Sequence, residues 1–179
     1  MNKIHPWLLL GGIALLAAAL GYRLGVLDKS TETPPAMSLK PPIYELMLTD
    51  LQGRAQSIGQ WRGKLLVINY WATWCHPCRE EMPGFSRLHD KYSDKGVQFV
   101  GISIDTADKI AHFQKETPVS YPLLIGDMDA MKNSAELGNS RQALPFTAVF
   151  DRDGRLAMTR LGRWPEADLE RKLLELLEH

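Results

Sequence analysis

Residues 65–83 read LLVINYWATWCHPCREEMP, and this stretch decides the fold class. Its first six residues, Leu65 to Tyr70, make an apolar run of strand length. Runs of that kind suit a strand buried on both faces. Two Trp and the chain's two cysteines follow, and Arg79 to Tyr92 then carry apolar side chains at 82, 85 and 88, at helical spacing. The order is therefore strand, CxxC, helix. In that setting Cys75 falls at the helix N-terminus, where unpaired backbone N–H groups and the macrodipole favour a thiolate. Cys78 comes about one turn later, within disulfide reach and less exposed. Pro77 suits the first helical turn, where its missing amide costs no intrahelical bond. His76 can add positive charge beside the thiolate. Cys75 is thus the expected attacking nucleophile and Cys78 the resolving thiol.

Outward from this stretch the pattern stays α/β. Ile43 to Leu48 alternates loosely and reads as a strand closed by the turn Asp50–Gly53. Val97 to Ile104 is a second buried-strand candidate. Asp108 to Thr117 reads as a helix, Tyr121 to Ile125 as a short strand, and Asp129 to Leu137 as a helix stopped by Gly138. Phe146 to Phe150 is a third strong strand, joined by the Asp151–Gly154 turn to Arg155–Leu161. A last helix, Pro165 to Glu178, would bury Leu169, Leu173, Leu176 and Leu177. Strands alternating with helices and ending in a hairpin imply a mixed sheet covered on both faces.

The N-terminus reads differently. From Trp7 to Leu20 every residue is apolar or Gly, and the first acidic residue of the chain is Asp28. Fourteen helical residues span about 21 Å, short of a bilayer core of ~30 Å; extension to Leu27 reaches across, with Arg23 snorkelling to the interface. Residues 1–27 are therefore expected to be an uncleaved signal anchor, a transmembrane helix with Lys3 on the cytoplasmic side. The competing reading is a cleaved signal peptide ending at Ala17-Ala18-Ala19, which would leave a soluble periplasmic protein. Residues 28–42, DKSTETPPAMSLKPP, hold four prolines and read as a linker, and 43–179 as the folded domain.

Composition narrows the function. Of 179 residues, 45% are apolar, enough for a core, and 21 basic side chains balance 21 acidic ones. Without Lys3 and Arg23, 19 basic residues face 21 acidic, so the exported part has no basic excess to attract nucleic acid or anionic lipid. Two cysteines exclude a multi-disulfide scaffold and a four-cysteine zinc site. A metal site built from Cys75, Cys78 and His76 lacks an evident fourth ligand, because His89 and His112 stand apart. A purely structural disulfide would close too short a loop to stabilise much. No cofactor or metal is expected.

Three segments, LLVINYWATWCHPCREEMP at 65–83, VQFVGISID at 97–105 and LPFTAVFDRDGRL at 144–156, together resemble the thioredoxin superfamily, and within it the TlpA/ResA-like membrane-anchored thiol–disulfide oxidoreductases of the bacterial envelope. The likeness covers roughly residues 43–179. It implies a central sheet with flanking helices and a strand–helix insertion, for which Asp108 to Gly138 leaves room. It also assigns roles. Pro145 matches the family's cis-proline, which would present the Leu144 backbone to an extended substrate segment. Trp74 would pack beside Cys75 and limit access, the alternative being a plain core aromatic. Glu81 aligns with a carboxylate that relays protons near the cysteines, and Glu80 competes for that role. Pro83 is expected to kink the helix.

The implied activity is reduction of disulfides in exported proteins, apocytochrome c among the candidates, by a monomer recharged from a membrane dithiol carrier. A disulfide-forming oxidant or isomerase on the same scaffold is the alternative, because Pro77 and His76 give opposite cues about redox potential. A copper-handling module is a third reading, and CxxC is one residue shorter than the CxxxC such modules use. A peroxidase is disfavoured, because Thr73 is only two residues before Cys75 and no Thr-x-x-Cys element occurs.

Overall fold

The structure is a computed structural model that describes residues 42–178. The chain divides into two units, Met1–Leu39 and Lys40–His179, and the described residues fall in the second. The expected membrane segment, and all of the expected linker except Pro42, lie outside them. Among the described residues no helix is long and apolar enough to cross a membrane.

Seven strands form one mixed sheet: β1 (Met47–Asp50), β2 (Ala55–Ser57), β3 (Leu65–Trp71), β4 (Val97–Ser103), β5 (Leu123–Ile125), β6 (Phe146–Phe150) and β7 (Leu156–Leu161). Their order across the sheet is β2-β1-β5-β4-β3-β6-β7. The central strands β3, β4 and β5 run parallel, while β6, β7, β1 and β2 join antiparallel. Four helices connect or cover them: α1 (His76–Tyr92), α2 (Ala107–Glu116), α3 (Met128–Glu136) and α4 (Glu166–Leu177). In the expected insertion region, α2 is followed by β5, which extends the sheet beside β4, and by α3.

Both faces of the sheet are covered, as strands buried along their whole length require. Leu65, Val67 and Trp71 point to one core, shared with Met82, Phe85 and Leu88 of α1, Ile110 and Phe113 of α2, and Leu169 and Leu173 of α4. Leu66, Ile68 and Tyr70 point to the other, against Ile43, Tyr44, Ile58 and the α3 residues Ala130 and Met131. Full burial of one such side chain contributes about 1.5–3 kcal/mol, and the three apolar residues of α1 supply a large part of what holds that helix on the sheet. An ion pair and a hydrogen bond reinforce its contact with α4, Lys91 Nζ and Tyr92 OH both donating to Glu170 Oε1 at 2.7 Å. Gly101 is required on β4, because a Cβ there would meet Leu123 Cδ2 at 2.7 Å and the Trp71 indole nitrogen at 3.1 Å.

Some expectations shift. Ile43 to Leu48 is not a strand: Pro42–Glu45 form a 3-10 turn, and the strand begins at Met47. Ile43 and Tyr44 are both buried, which a strand with one open face cannot achieve with adjacent residues. The edge strand β2 carries no β-branched or aromatic residue and gave no signal. Its hairpin is organised instead by Asp50, whose carboxylate accepts from Gln52 N, Arg54 N, Arg54 Nε and Gln56 Nε2. Leu176 and Leu177 are only partly buried. Pro83 lies inside the helix α1.

Candidate active site

The parallel strands β3, β4 and β5 end at the same edge of the sheet, and β6, antiparallel to β3, begins there. The loop Ala72–Cys75 leaves β3 at this edge and turns directly into α1. Cys75 is the N-cap residue, extended at φ −83° and ψ 100°, with no side-chain cap of its own, and Pro77 lies in the first turn. The Cys75 amide donates to Ala72 O at 3.1 Å, and its carbonyl accepts from Arg79 N at 3.2 Å. Cys75 and Cys78 form a disulfide, with their Cα atoms 5.3 Å apart. Cys75 is 5% exposed and Cys78 is 0% exposed, so an incoming group reaches Cys75 first.

Two carboxylates follow Cys78, and the structure separates them. Glu80 is exposed, 3.2 Å from His76 Nε2 and 3.4 Å from Arg163 Nε. The exposed His76 side chain is thus turned towards Glu80. Glu81 is 3% exposed and sits one turn beyond Cys78 on the buried side of α1. Its Oε1 accepts from Asn69 Nδ2 at 2.8 Å and its Oε2 from the Trp164 backbone N–H at 2.7 Å. Burial pushes its pKa up to about 7, against the opposing pull of those two donors and of Arg163 and Arg160.

Trp74 is 67% exposed, which excludes the core-aromatic reading. The Leu144–Pro145 peptide bond is cis. Pro145 is buried, Leu144 half-buried, and the next residue, Phe146, pairs with Tyr70, so this bond lies at the cysteine edge. His112 is exposed beside Glu116. His89 is half-buried against Phe99 and Tyr121, away from the disulfide edge, and burial lowers its pKa.

Sequence reasoning missed four residues that shape the site: Asn69, Thr147, Asp105 and Trp164. Asp105 is buried at the end of β4, and its Oδ2 accepts from Thr73 N at 2.6 Å and Thr73 Oγ1 at 2.9 Å, tying the loop that carries Cys75. A polar residue interrupting each of the apolar runs at 65–71 and 146–150 was the available signal for Asn69 and Thr147. Nothing local distinguished Asp105 or Trp164.

A three-layer α/β sheet with a cis-proline and a CxxC disulfide at one edge, the first cysteine capping a helix, defines the class of thioredoxin-like thiol–disulfide oxidoreductases. Residues 39–159 match the family model described as the AhpC/TSA family, and the chain belongs to that family. It is similar to the thiol-disulfide oxidoreductase ResA of Geobacillus kaustophilus, 28% identical over 162 residues that make up 90% of each chain. Among solved structures, a thioredoxin-related protein from Neisseria meningitidis serogroup B is 32% identical, with a TM-score of 0.66 over 74% of this chain and 99% of that one. A thiol:disulfide interchange protein of the thioredoxin family from Chlorobium tepidum shares the fold, with a TM-score of 0.68 at 23% identity over 74% of this chain and 92% of that one.

Proposed function

We propose that this oxidoreductase works in the reductive direction, on disulfides of exported proteins outside the inner membrane. The observation that carries the reading is Cys75 at the N-terminus of α1, bonded to the more deeply buried Cys78. In the reduced protein the Cys75 thiolate attacks a substrate disulfide, forming a mixed disulfide and releasing one substrate thiolate. Glu81 takes the proton of Cys78, and the Cys78 thiolate then attacks Cys75 Sγ. The second substrate thiol leaves, and the chain is left with its own disulfide, two electrons having passed to the substrate. A membrane dithiol carrier is the electron donor this cycle needs, and apocytochrome c is one candidate substrate.

Protein substrates are supported by the surface around the site. Of seven large apolar residues exposed among the described residues, Trp74, Ile104, Met128 and Leu161 lie at the ends of β3, β4, β5 and β7 that border the disulfide. An apolar row at a reactive edge suits an extended peptide, with Trp74, His76, Pro77, Leu144 and Pro145 nearest the reacting sulfurs. Residues 1–27 would serve as the membrane anchor, 28–42 as a tether and 43–179 as a monomeric periplasmic domain.

The deciding experiment is the reduction potential of the Cys75–Cys78 couple in the fragment from Lys40, equilibrated against thiol buffers and read by Trp fluorescence. About −250 mV or lower means a reductant; a value near −120 mV makes the chain a disulfide donor. Cys75→Ser should abolish reduction of a model disulfide and Cys78→Ser should trap mixed disulfides, whereas full activity in either variant defeats the dithiol mechanism.

A further inference from the structure

We infer that Asn69 and Thr147, paired across β3 and β6, are positioning residues that hold the Glu81 carboxylate where it can take the Cys78 proton; this rests on the reading of Glu81 as the proton acceptor. The two are direct register partners and so face the same side of the sheet. Both are buried, on a face otherwise built from Leu65, Val67, Trp71 and Val149. Asn69 Nδ2 spends one hydrogen on Glu81 Oε1 at 2.8 Å and the other on Thr147 Oγ1 at 3.1 Å. Thr147 thereby fixes the rotation of the amide, and the amide fixes the carboxylate. Trp164 N–H, at 2.7 Å, closes the clamp from the segment before α4.

A merely structural role explains this arrangement poorly. Two polar side chains and an acid within an apolar face are costly, and apolar residues of similar shape would pack as well. The clamp instead stabilises one state of one group. Both donors favour the ionised carboxylate, opposing the burial that favours the protonated form. The other groups facing Glu81 are Arg160 and Arg163 from the β7–α4 segment, Tyr121 from the segment before β5, and Cys78 on its own helix. Glu80 turns outward to Arg163, and His89 lies further along α1 against Tyr121. None of these donates a hydrogen bond to the carboxylate, so among the described residues Asn69 is the side chain that holds it by a hydrogen bond, beside the Trp164 backbone N–H.

The test uses the full chain, reduced and mixed with dithiobis-nitrobenzoate in a stopped-flow instrument. Attack by the Cys75 thiolate breaks the aromatic disulfide and releases one thionitrobenzoate. The second is released when Cys78, its proton passed to Glu81, attacks Cys75 Sγ and forms the internal disulfide. The rate of this second phase is followed from about pH 5 to about pH 9, where it falls on the acid side as the base is protonated. In Asn69→Leu the acid limb should move upward by about one pH unit, a roughly tenfold slowing below the limb. Thr147→Val should move it the same way by less, and Thr147→Ser, which keeps the hydroxyl, should restore it. Limbs in Asn69→Leu and Thr147→Val that coincide with wild type, while Glu81→Gln removes the limb, would overturn the inference alone. A limb that survives in Glu81→Gln removes the acceptor reading itself, and the inference with it. Should Asn69→Leu fail to fold, the Val and Ser variants of Thr147 decide the matter between them.

Discussion

Glu81 is held between opposite influences, and its net state links the chemistry to stability. Burial raises its pKa from 4.5 to about 7 despite two hydrogen-bond donors. Between those values the folded chain keeps a proton that the unfolded chain has released. The favourable contribution is therefore full below about pH 4.5 and is lost as pH rises towards about 7. Above that range the buried carboxylate costs on the order of 3 kcal/mol relative to its protonated form. Glu81→Gln should thus raise the thermal midpoint clearly at about pH 8 and leave it little changed at about pH 4, as calorimetry on the oxidised chain would show. Equal shifts at both pH values would mean that Glu81 does not ionise in the folded state. Sequence reasoning placed an acid one turn beyond Cys78, yet left Glu80 and Glu81 in competition. Only the face of α1 that packs on β3 separates them.

At the scale of elements, the reactive loop is tied down from a neighbouring strand. Asp105 closes the end of β4 by accepting from the backbone and hydroxyl of Thr73, two residues before Cys75. Lys109, one turn into α2, lies 3.8 Å from the same carboxylate. Asp105→Ala removes the acceptor of a backbone amide, for an expected loss of about 2 kcal/mol in urea unfolding. It should also slow the first attack by Cys75, because the N-cap geometry is no longer held from β4. Unchanged first-phase kinetics with reduced stability would confine Asp105 to a structural part. Periodicity found most elements within a residue or two, because β3, β4 and β6 are predominantly apolar and buried along their whole length, and α1 keeps one apolar stripe. It failed at Ile43 to Leu48 and at β2, where a proline-led turn and a polar hairpin decide the backbone.

On the scale of the whole molecule, topology gathers what the sequence scatters. Parallel β3, β4 and β5 bring three successive loops to one edge, and the antiparallel pair β6 and β7 adds the cis-proline and Leu161. With neighbouring strands about 4.8 Å apart, the apolar row from Met128 to Leu161 spans roughly 20 Å, the reach of about six extended residues. Met128→Glu and Ile104→Ser, away from the sulfurs, should raise KM for a reducible unfolded protein several-fold. They should leave the rate with a small aromatic disulfide unchanged. Equal loss on both substrates would mean that the edge perturbs the dithiol and does not dock the chain.

The sequence by itself determined the α/β class, the strand–CxxC–helix unit and the place of Cys75 at the helix N-terminus. These depend on local periodicity and on the helix N-terminus, which any such segment creates. The tertiary structure alone decided which acid is buried and what holds it. Asn69 meets a residue 78 positions away, Glu81 accepts from one 83 positions away, and Thr73 is fixed from 32 positions away. Those partners are chosen by strand order and register, which follow from how both faces of the sheet are buried together. No window of sequence encodes that choice by itself.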